Sequence, residues 1–192
     1  MVLLCLQSVQ IWAFQSEKLV NDARSQILKT LYYDPAYTQL SYPMGDVPLI
    51  KGVCTDVVIR ALRHQGIDLQ QRIHEDMKAN FKKYPQKWGL KATDRNIDHR
   101  RVPNIMTYFQ RQGYQVNDQK YQAGDIVARD LGKGLTHIGI ISNKTTMLSK
   151  HLWLFITLVL EHVKMTFCMN IKSLGIIVYP RRSIRNRQFQ AK

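Results

Sequence analysis

The stretch GVCTDVVIRALR, residues 52–63, places a cysteine directly after a glycine and a β-branched valine. The residues after Cys54 predict an amphipathic helix, because the apolar positions follow helical spacing: Val57, Val58, Ala61 and Leu62. Cys54 then lies in the first turn, where free N–H groups and the helix dipole lower the pKa of a thiol. Its position raises a question of function, since Cys54 is either a packing residue or a nucleophile.

The chain before Cys54 predicts one helix followed by a long loop. Residues 17–31 carry an apolar residue at every fourth position, which makes one continuous helical stripe: Leu19, Ala23, Ile27 and Leu31. Residues 32–52 are rich in tyrosine, proline and glycine, which interrupt regular structure. Loops of this length in compact domains are usually functional, and this one delivers the chain directly to Cys54.

The chain after the cysteine helix predicts more helices and then a hairpin. A helix covers residues 69–85, a polar loop covers residues 88–104, and a short helix follows. Two short β-branched strands come next, DIVARDL (125–131) and THIGIISN (136–143), separated by a GKG turn. This order indicates an α+β fold, with the cysteine helix packed on a small antiparallel sheet.

The length of the chain suggests one domain. The cysteine content limits the redox chemistry that this domain can carry out. Cys5 lies in an apolar stretch that resembles the core of an export signal. We therefore expect residues 1–15 to be a signal peptide and the protein to be exported, to the periplasm or cell envelope; the alternative is a buried first helix. Cys168 lies in a tail of different composition, which leaves Cys54 alone in the domain, residues 17–143. A lone thiol cannot form a disulfide framework, so a reactive role has to be weighed.

The net charge of +14 is distributed unevenly. Residues 145–192 carry eight Lys and Arg against one acid, Glu161, so a quarter of the chain holds half of the net charge. A basic surface favours anionic partners such as cell-wall polymers or lipid. We expect no nucleic-acid partner, because the sequence contains no helix-turn-helix, zinc-finger or aromatic RNA-binding motif.

The sequence predicts neither a membrane span nor a bound cofactor. The apolar run at residues 152–160 is far shorter than the roughly 18–20 residues that span a bilayer, so we expect no stable membrane insertion. The histidine and cysteine spacings match no metal-ligand set. The GKG turn lacks the serine or threonine and the helix of a nucleotide-binding loop. We therefore expect no metal and no cofactor, and we leave the oligomeric state open.

His137 is the strongest candidate for a base that activates Cys54. It lies in the strand pattern LTHIGI, and a histidine that projects from a strand beside a helix can meet a thiol at the start of that helix. The alternative is that Cys54 is a small buried apolar residue and His137 a hydrogen-bonded sheet histidine. Residue types alone favour this packing interpretation, since most free cysteines only pack.

The order of short motifs, however, resembles a family of hydrolases. Gly-x-Cys at a helix start, then Gly-Asp, then a strand His-x-Gly, resemble the NlpC-type, papain-like cysteine peptidases that cut bacterial cell-wall peptides; here they read GVCTD, AGDIV and THIGII. More closely, residues 19–143 resemble a bacterial exported family, domain of unknown function 1287, which is grouped with those peptidases. The long polar motif DRNIDHRRVPN makes this resemblance specific.

The resemblance implies a papain-like fold and a cysteine hydrolase or amidase of peptidoglycan or other peptide substrates. Carried over position by position, Cys54 is the nucleophile, and His137 is the general base and later the acid. In the wider class, a third polar residue on the next strand orients the imidazole.

Two further groups are candidate substrate-binding residues. Asp56 either caps the helix or holds a substrate ammonium group. In the motif DRNIDHRR, four side chains are candidates to line the cleft, where an arginine would bind a peptide carboxylate in bidentate fashion: Asp98, His99, Arg100 and Arg101. The alternative for these four is a polar loop that hydrogen-bonds to itself.

Residues 144–192 depart from the family pattern and read as an anomalous basic tail. Read one base out of register, residues 155–178 can encode a charge-balanced, strand-like sequence similar to the family's ending. We therefore predict a frameshift near residues 143–150. On this interpretation the orienting residue is absent, and the far edge of THIGIISN is unpaired and prone to aggregation.

Three functions compete at this point. The first is a cell-wall peptide hydrolase that uses Cys54 and His137. The second is a non-catalytic exported module that binds cell-wall peptide or glycan through the polar loop around residues 98–101. The third is a membrane-associated peptide that acts through residues 150–192, and the charge pattern is its only support.

Overall fold

Four α-helices and two small sheets form the part of the chain that the structure describes, and they confirm the α+β class. This computed structural model describes residues 16–116, 121–145, 153–156 and 173–177. The expected signal peptide, residues 1–15, lies outside the described residues, as does most of the tail.

The four helices precede the larger sheet in the chain. Helix α1 covers residues 16–24, and the others are α2 (Cys54–Arg63), α3 (Leu69–Ala79) and α4 (Val102–Arg111). Two 3₁₀ turns, Phe81–Lys83 and Asp98–Arg100, lie between α3 and α4.

Two helices end earlier than the sequence predicts. Helix α1 stops at residue 24, and Leu28 then adopts a left-handed backbone with φ of 64°, which turns Ile27 out to 53% exposure. Helix α3 stops at Ala79, because Asn80 leaves the helical conformation. In both cases the apolar periodicity continues beyond the residue at which the backbone leaves the helix.

The strands form a two-stranded parallel sheet and a larger antiparallel sheet. In the small sheet, β1 (Tyr32–Tyr33) pairs with β2 (Lys51–Gly52). The larger sheet has the strand order β3–β7–β4–β5–β6. Its members are β3 (Gln115–Val116), β4 (Ile126–Gly132), β5 (Leu135–Thr145), β6 (Trp153–Ile156) and β7 (Ser173–Ile177).

The core lies between α2 and the predicted β4–β5 hairpin. The register pairs Ile126 with Ile140 and Ala128 with Ile138, so these four side chains share one face of the sheet. They pack with the apolar side of α2, whose residues are at most 1% exposed: Val57, Val58, Ala61 and Leu62. Full burial of one large aliphatic side chain stabilises by about 1.5–3 kcal/mol, so this packing fixes α2 on β5.

The long loop before Cys54 is held from inside by two buried polar side chains. Arg60 on α2 donates from Nε to Asp46 Oδ2 at 2.9 Å and also donates to three loop carbonyls. Gln70 on α3, which is fully buried, accepts from the N–H of Gly45 at 2.9 Å. The loop is therefore ordered by hydrogen bonds to helices rather than by strands of its own.

The tail contributes two strands, so the expectation of an unpaired sheet edge is wrong. Strand β6 pairs with the far side of β5, where Ile140 lies opposite Ile156. Strand β7 lies between β3 and β4, with Ala128 opposite Gly175. Both sides of the hairpin therefore have a hydrogen-bonded neighbour over part of their length.

Candidate active site around Cys54

Cys54 is the first residue of α2, and the carboxylate of Asp56 caps the first turn of that helix. Asp56 Oδ2 accepts a hydrogen bond from the backbone N–H of Val53 at 2.7 Å, which satisfies one of the free donors at the helix start. Gly52 is required two residues before the cysteine, because a Cβ there would lie 2.9 Å from Asp56 Oδ2. The motif GVCTD therefore encodes the local geometry of this turn.

The Cys54 thiol is buried, with 9% of the residue exposed. Burial raises the pKa of the Cys54 thiol above its ordinary value, and the nearby Asp56 charge adds to this rise. Backbone hydrogen bonds from Ile138, Thr55 and Cys54 itself act in the opposite direction, but burial outweighs them. The helix start thus offers the donors that the sequence predicts, whereas the net pKa is raised instead of lowered.

The structure brings the Cys54 sulfur to the strand position beside His137. The sulfur is hydrogen-bonded by the backbone of Ile138, the next residue, and consecutive Cα atoms are about 3.8 Å apart. Side chains alternate along β5, so the imidazole of His137 and the side chain of Ile138 lie on opposite faces of the sheet. Burial, followed by the charge of Arg129 directly opposite on β4, lowers the pKa of His137 to about 4.

Asp56 and Arg100 form a buried ion pair, 2% and 7% exposed. Arg100 donates from Nε and Nη2 to the two carboxylate oxygens, each at 2.9 Å. Its guanidinium also donates to the carbonyls of Ala36 and Asp34, and its own carbonyl accepts from Thr55 Oγ1 at 3.1 Å. These contacts hold the start of α2, and a substrate contact by either side chain stays a prediction that requires the pair to open.

Asp98 and His99 lie beneath the polar loop, 1% and 2% exposed. Asp98 Oδ2 accepts from the N–H of Asp94, and burial raises the pKa of Asp98 to about 6. Burial, followed by the Arg100 charge, lowers the pKa of His99 to about 4. Neither side chain is exposed enough to support its predicted role as a substrate contact. The two groups instead help to build the inner side of the loop.

Arg101 is the most exposed member of the predicted group of four. Its Cζ atom lies 4.3 Å from the centroid of the Trp88 ring, and its Nη1 lies 3.7 Å from Asp98 Oδ1. Of the four loop candidates, Arg101 is therefore the one whose position suits contact with a ligand.

Sequence reasoning missed three residues near the site. Tyr33 lies beside Gly52 in the β1–β2 register, and its pKa is raised by burial and then by the Cys54 charge. Trp88 stacks on Arg101, and Arg129 faces His137. A tryptophan before a glycine, in a segment without apolar periodicity, was a usable signal for Trp88. The positions of Tyr33 and Arg129 depend on strand register, which the sequence does not specify.

The lowered pKa of His99 predicts that acid destabilises the protein. The unfolded chain takes up a proton near the ordinary pKa of 6.5, and the folded chain only near 4. The contribution of His99 to the free energy of unfolding is therefore fully present above pH 6.5 and is lost as the pH falls towards 4. In His99→Gln, we expect the loss of unfolding free energy between pH 7 and pH 4.5 to shrink by on the order of 2 kcal/mol.

Urea titrations at the two pH values measure this effect. Asp98, whose raised pKa acts in the opposite direction, is present in both chains, so its contribution cancels in the comparison. The control is His64→Gln, because the His64 side chain is 54% exposed. An equal acid loss in His99→Gln and the unmodified chain would contradict the prediction.

Within the described ranges, no three His, Cys, Asp or Glu side chains are grouped so that they could hold a metal ion. None of the described helices is long and apolar enough to cross a membrane.

Together these contacts define an α+β domain with a buried thiol at a helix start, beside a histidine strand. The chain belongs to the family described as Domain of unknown function (DUF1287), which matches residues 20–158. It is similar to the uncharacterized protein YijF of Escherichia coli (strain K12), 57% identical over 139 residues that cover 70% of this chain and 68% of that protein. No solved structure matches it significantly. The family match passes Asn143, where the sequence motifs end, and includes β6.

Proposed function

We propose that this protein is an exported cysteine hydrolase or amidase that acts on peptide-like amide bonds of the cell wall. Cys54 is the nucleophile and His137 the general base, on a papain-like fold of the NlpC type. The observation that supports this best is the position of Cys54 in the first turn of α2, in the same buried cluster as Ile138, the residue that follows His137.

The reaction proceeds in two halves. The Cys54 sulfur attacks the amide carbonyl carbon while His137 accepts the thiol proton. Charge develops on the carbonyl oxygen, which backbone N–H groups at the start of α2 are placed to stabilise. The C–N bond then breaks, and His137 returns the proton to the leaving amine. Water, deprotonated by His137, hydrolyses the thioester and restores the thiol.

The resting protonation states oppose the first step. Proton transfer is uphill from a thiol whose pKa is raised to an imidazole whose pKa is about 4. An acceptor on the next strand would hold the imidazolium and raise its pKa. Strand β6 pairs with Ile140, Ile141 and Thr145 of β5. The two pKa shifts alone make the first step unfavourable. We therefore expect slow turnover from this chain.

We retain the frameshift near residues 143–150 as a proposal about this gene. Its support is the out-of-register similarity of residues 155–178 to a charge-balanced, strand-like sequence. Resequencing the locus tests it directly. A chain with the frame restored after Asn143 is expected to turn over faster, whereas an unbroken frame in the resequenced gene would rule the proposal out.

A non-catalytic module that binds cell-wall peptide or glycan is the second candidate function. The same two pKa shifts favour it, because neither the thiol nor the imidazole is poised for proton transfer at neutral pH. The two candidates separate in one experiment on purified cell-wall sacculi. Release of fragments with new amino or carboxyl termini, lost in Cys54→Ala, supports the hydrolase. Retained binding with no release by either chain supports the module.

A further inference from the structure

Trp88 is exposed, although the chain beside it reaches the hydrophobic core. Half of the residue, 51%, is open to solvent, although Leu90 two positions later packs against the core. Trp88 and Gly89 both adopt left-handed backbone conformations, with φ of 62° and 65°. For a bulky residue this conformation costs about 1–3 kcal/mol, and such strain is found preferentially at binding sites.

Arg101 gives this tryptophan a fixed charged neighbour. The guanidinium lies over the indole, with Cζ 4.3 Å from the ring centroid. Its Nη1 atom is buried and has no hydrogen-bond partner, and the nearest carboxylate oxygen, Asp98 Oδ1, is 3.7 Å away. Stacking on the indole holds the arginine in place, and 19% of its side chain remains exposed.

A short series of contacts links this pair to the thiol. Thr55, the residue after Cys54, donates to the carbonyl of Arg100 at 3.1 Å. Arg101 follows directly in the chain and covers Trp88. Thr55 and Trp88 therefore contact two consecutive residues, Arg100 and Arg101.

The segment around Trp88 is also strongly basic. Residues 82–91, KKYPQKWGLK, contain four lysines and no acid, and all four lysines are exposed. With Arg101 these charges attract an anionic ligand. The surface thus combines a flat aromatic ring with positive charge.

We propose that Trp88 and Arg101 form a subsite for a pyranose ring joined to an anionic peptide. The inference rests on the proposed function, since it names the glycan-linked form of the wall peptide as the ligand. The C–H face of the sugar stacks on the exposed indole, and Arg101 donates to a carbonyl or carboxylate oxygen of the same ligand. A peptide that lacks the sugar engages only the charged part.

Calorimetric titration in the Cys54→Ala background tests the subsite without hydrolysis. The probes are N-acetylmuramoyl-L-alanyl-D-isoglutamine and N-acetyl-L-alanyl-D-isoglutamine, which have the same charge and differ by the sugar. We expect the sugar-bearing probe to bind about tenfold more tightly, equivalent to about 1.4 kcal/mol. Adding Trp88→Ala is expected to remove this difference, and adding Trp88→Phe to retain part of it.

Ile27→Ala is the matched control, because Ile27 is equally exposed but lies in the turn after α1. Equal affinities of the Cys54→Ala chain for the two probes would overturn the subsite, as would a sugar preference that survives Trp88→Ala. Circular dichroism verifies that each variant is folded. Because binding is measured without the thiol, this result is independent of whether Cys54 hydrolyses the wall.

Discussion

Replacing Cys54 with alanine is expected to reduce release of peptide fragments from sacculi by at least about 10³-fold, to the uncatalysed background. In the proposed mechanism the sulfur forms the covalent bond to the acyl group, so no neighbouring group can substitute for it. Because burial raises the pKa of the Cys54 thiol, we expect slow turnover from the unmodified chain. The assay therefore needs long incubations at high protein concentration, with mass spectrometry of the soluble fragments.

Cys54→Ser is the sharper variant, because it replaces the thiol with a hydroxyl of similar size at the start of α2. A hydroxyl is a weaker nucleophile than a thiol at neutral pH, so we expect the serine variant to be as inactive as the alanine variant. Both should keep the affinity of the parent chain for sacculi. Fragment release that persists in both variants would exclude Cys54 as the nucleophile.

The fold could be predicted to the level of element order, because local patterns encode it. The α2 spacing, the β4–β5 hairpin and the loop at residues 32–52 all appear in the structure. The sequence did not predict that α1 and α3 end before Leu28 and Asn80. Each end depends on the backbone conformation of a single residue, for which apolar periodicity gives no signal. The tail strands were missed because their pairing partners are distant in sequence, and register between distant strands leaves no local pattern.

The sequence predicted where the candidate site lies. It did not predict the pKa shifts and the ion pair of the residues there. The motif GVCTD and the strand LTHIGI predicted which segments meet, and the Cys54 sulfur does lie at the backbone of Ile138. The direction of each pKa shift depends on burial, a property of the packed molecule. Asp56 and Arg100, proposed for substrates, instead neutralise each other in the interior.

The buried pair of Asp56 and Arg100 predicts the largest effect on stability. Removing one partner leaves an uncompensated charge in a site where both side chains are at most 3% exposed. We expect Arg100→Met to lower the free energy of unfolding by about 3–5 kcal/mol. Methionine approximates the length of the arginine stem, so the loss reports mainly the stranded Asp56 carboxylate. Urea denaturation followed by far-UV circular dichroism measures it.

The double variant Asp56→Leu with Arg100→Met separates charge from packing. It removes both charges and leaves the N–H of Val53 without its acceptor, which costs about 1–3 kcal/mol. We therefore expect the double variant to be more stable than Arg100→Met alone. The matched control is Arg111→Met, whose pair with Asp76 is 28% and 16% exposed and should contribute about 0–1 kcal/mol.

If Arg100→Met lost no more stability than Arg111→Met, the pair would not be the internal support of the α2 start. In that case Asp56 would be free to serve a ligand. With the expected loss, Asp56 acts by fixing the turn that presents Cys54, because its carboxylate joins the N–H of Val53 to the guanidinium of Arg100. Fragment release by the double variant should then fall together with its stability, and binding of the sugar-bearing probe at Trp88 should persist wherever the variant remains folded.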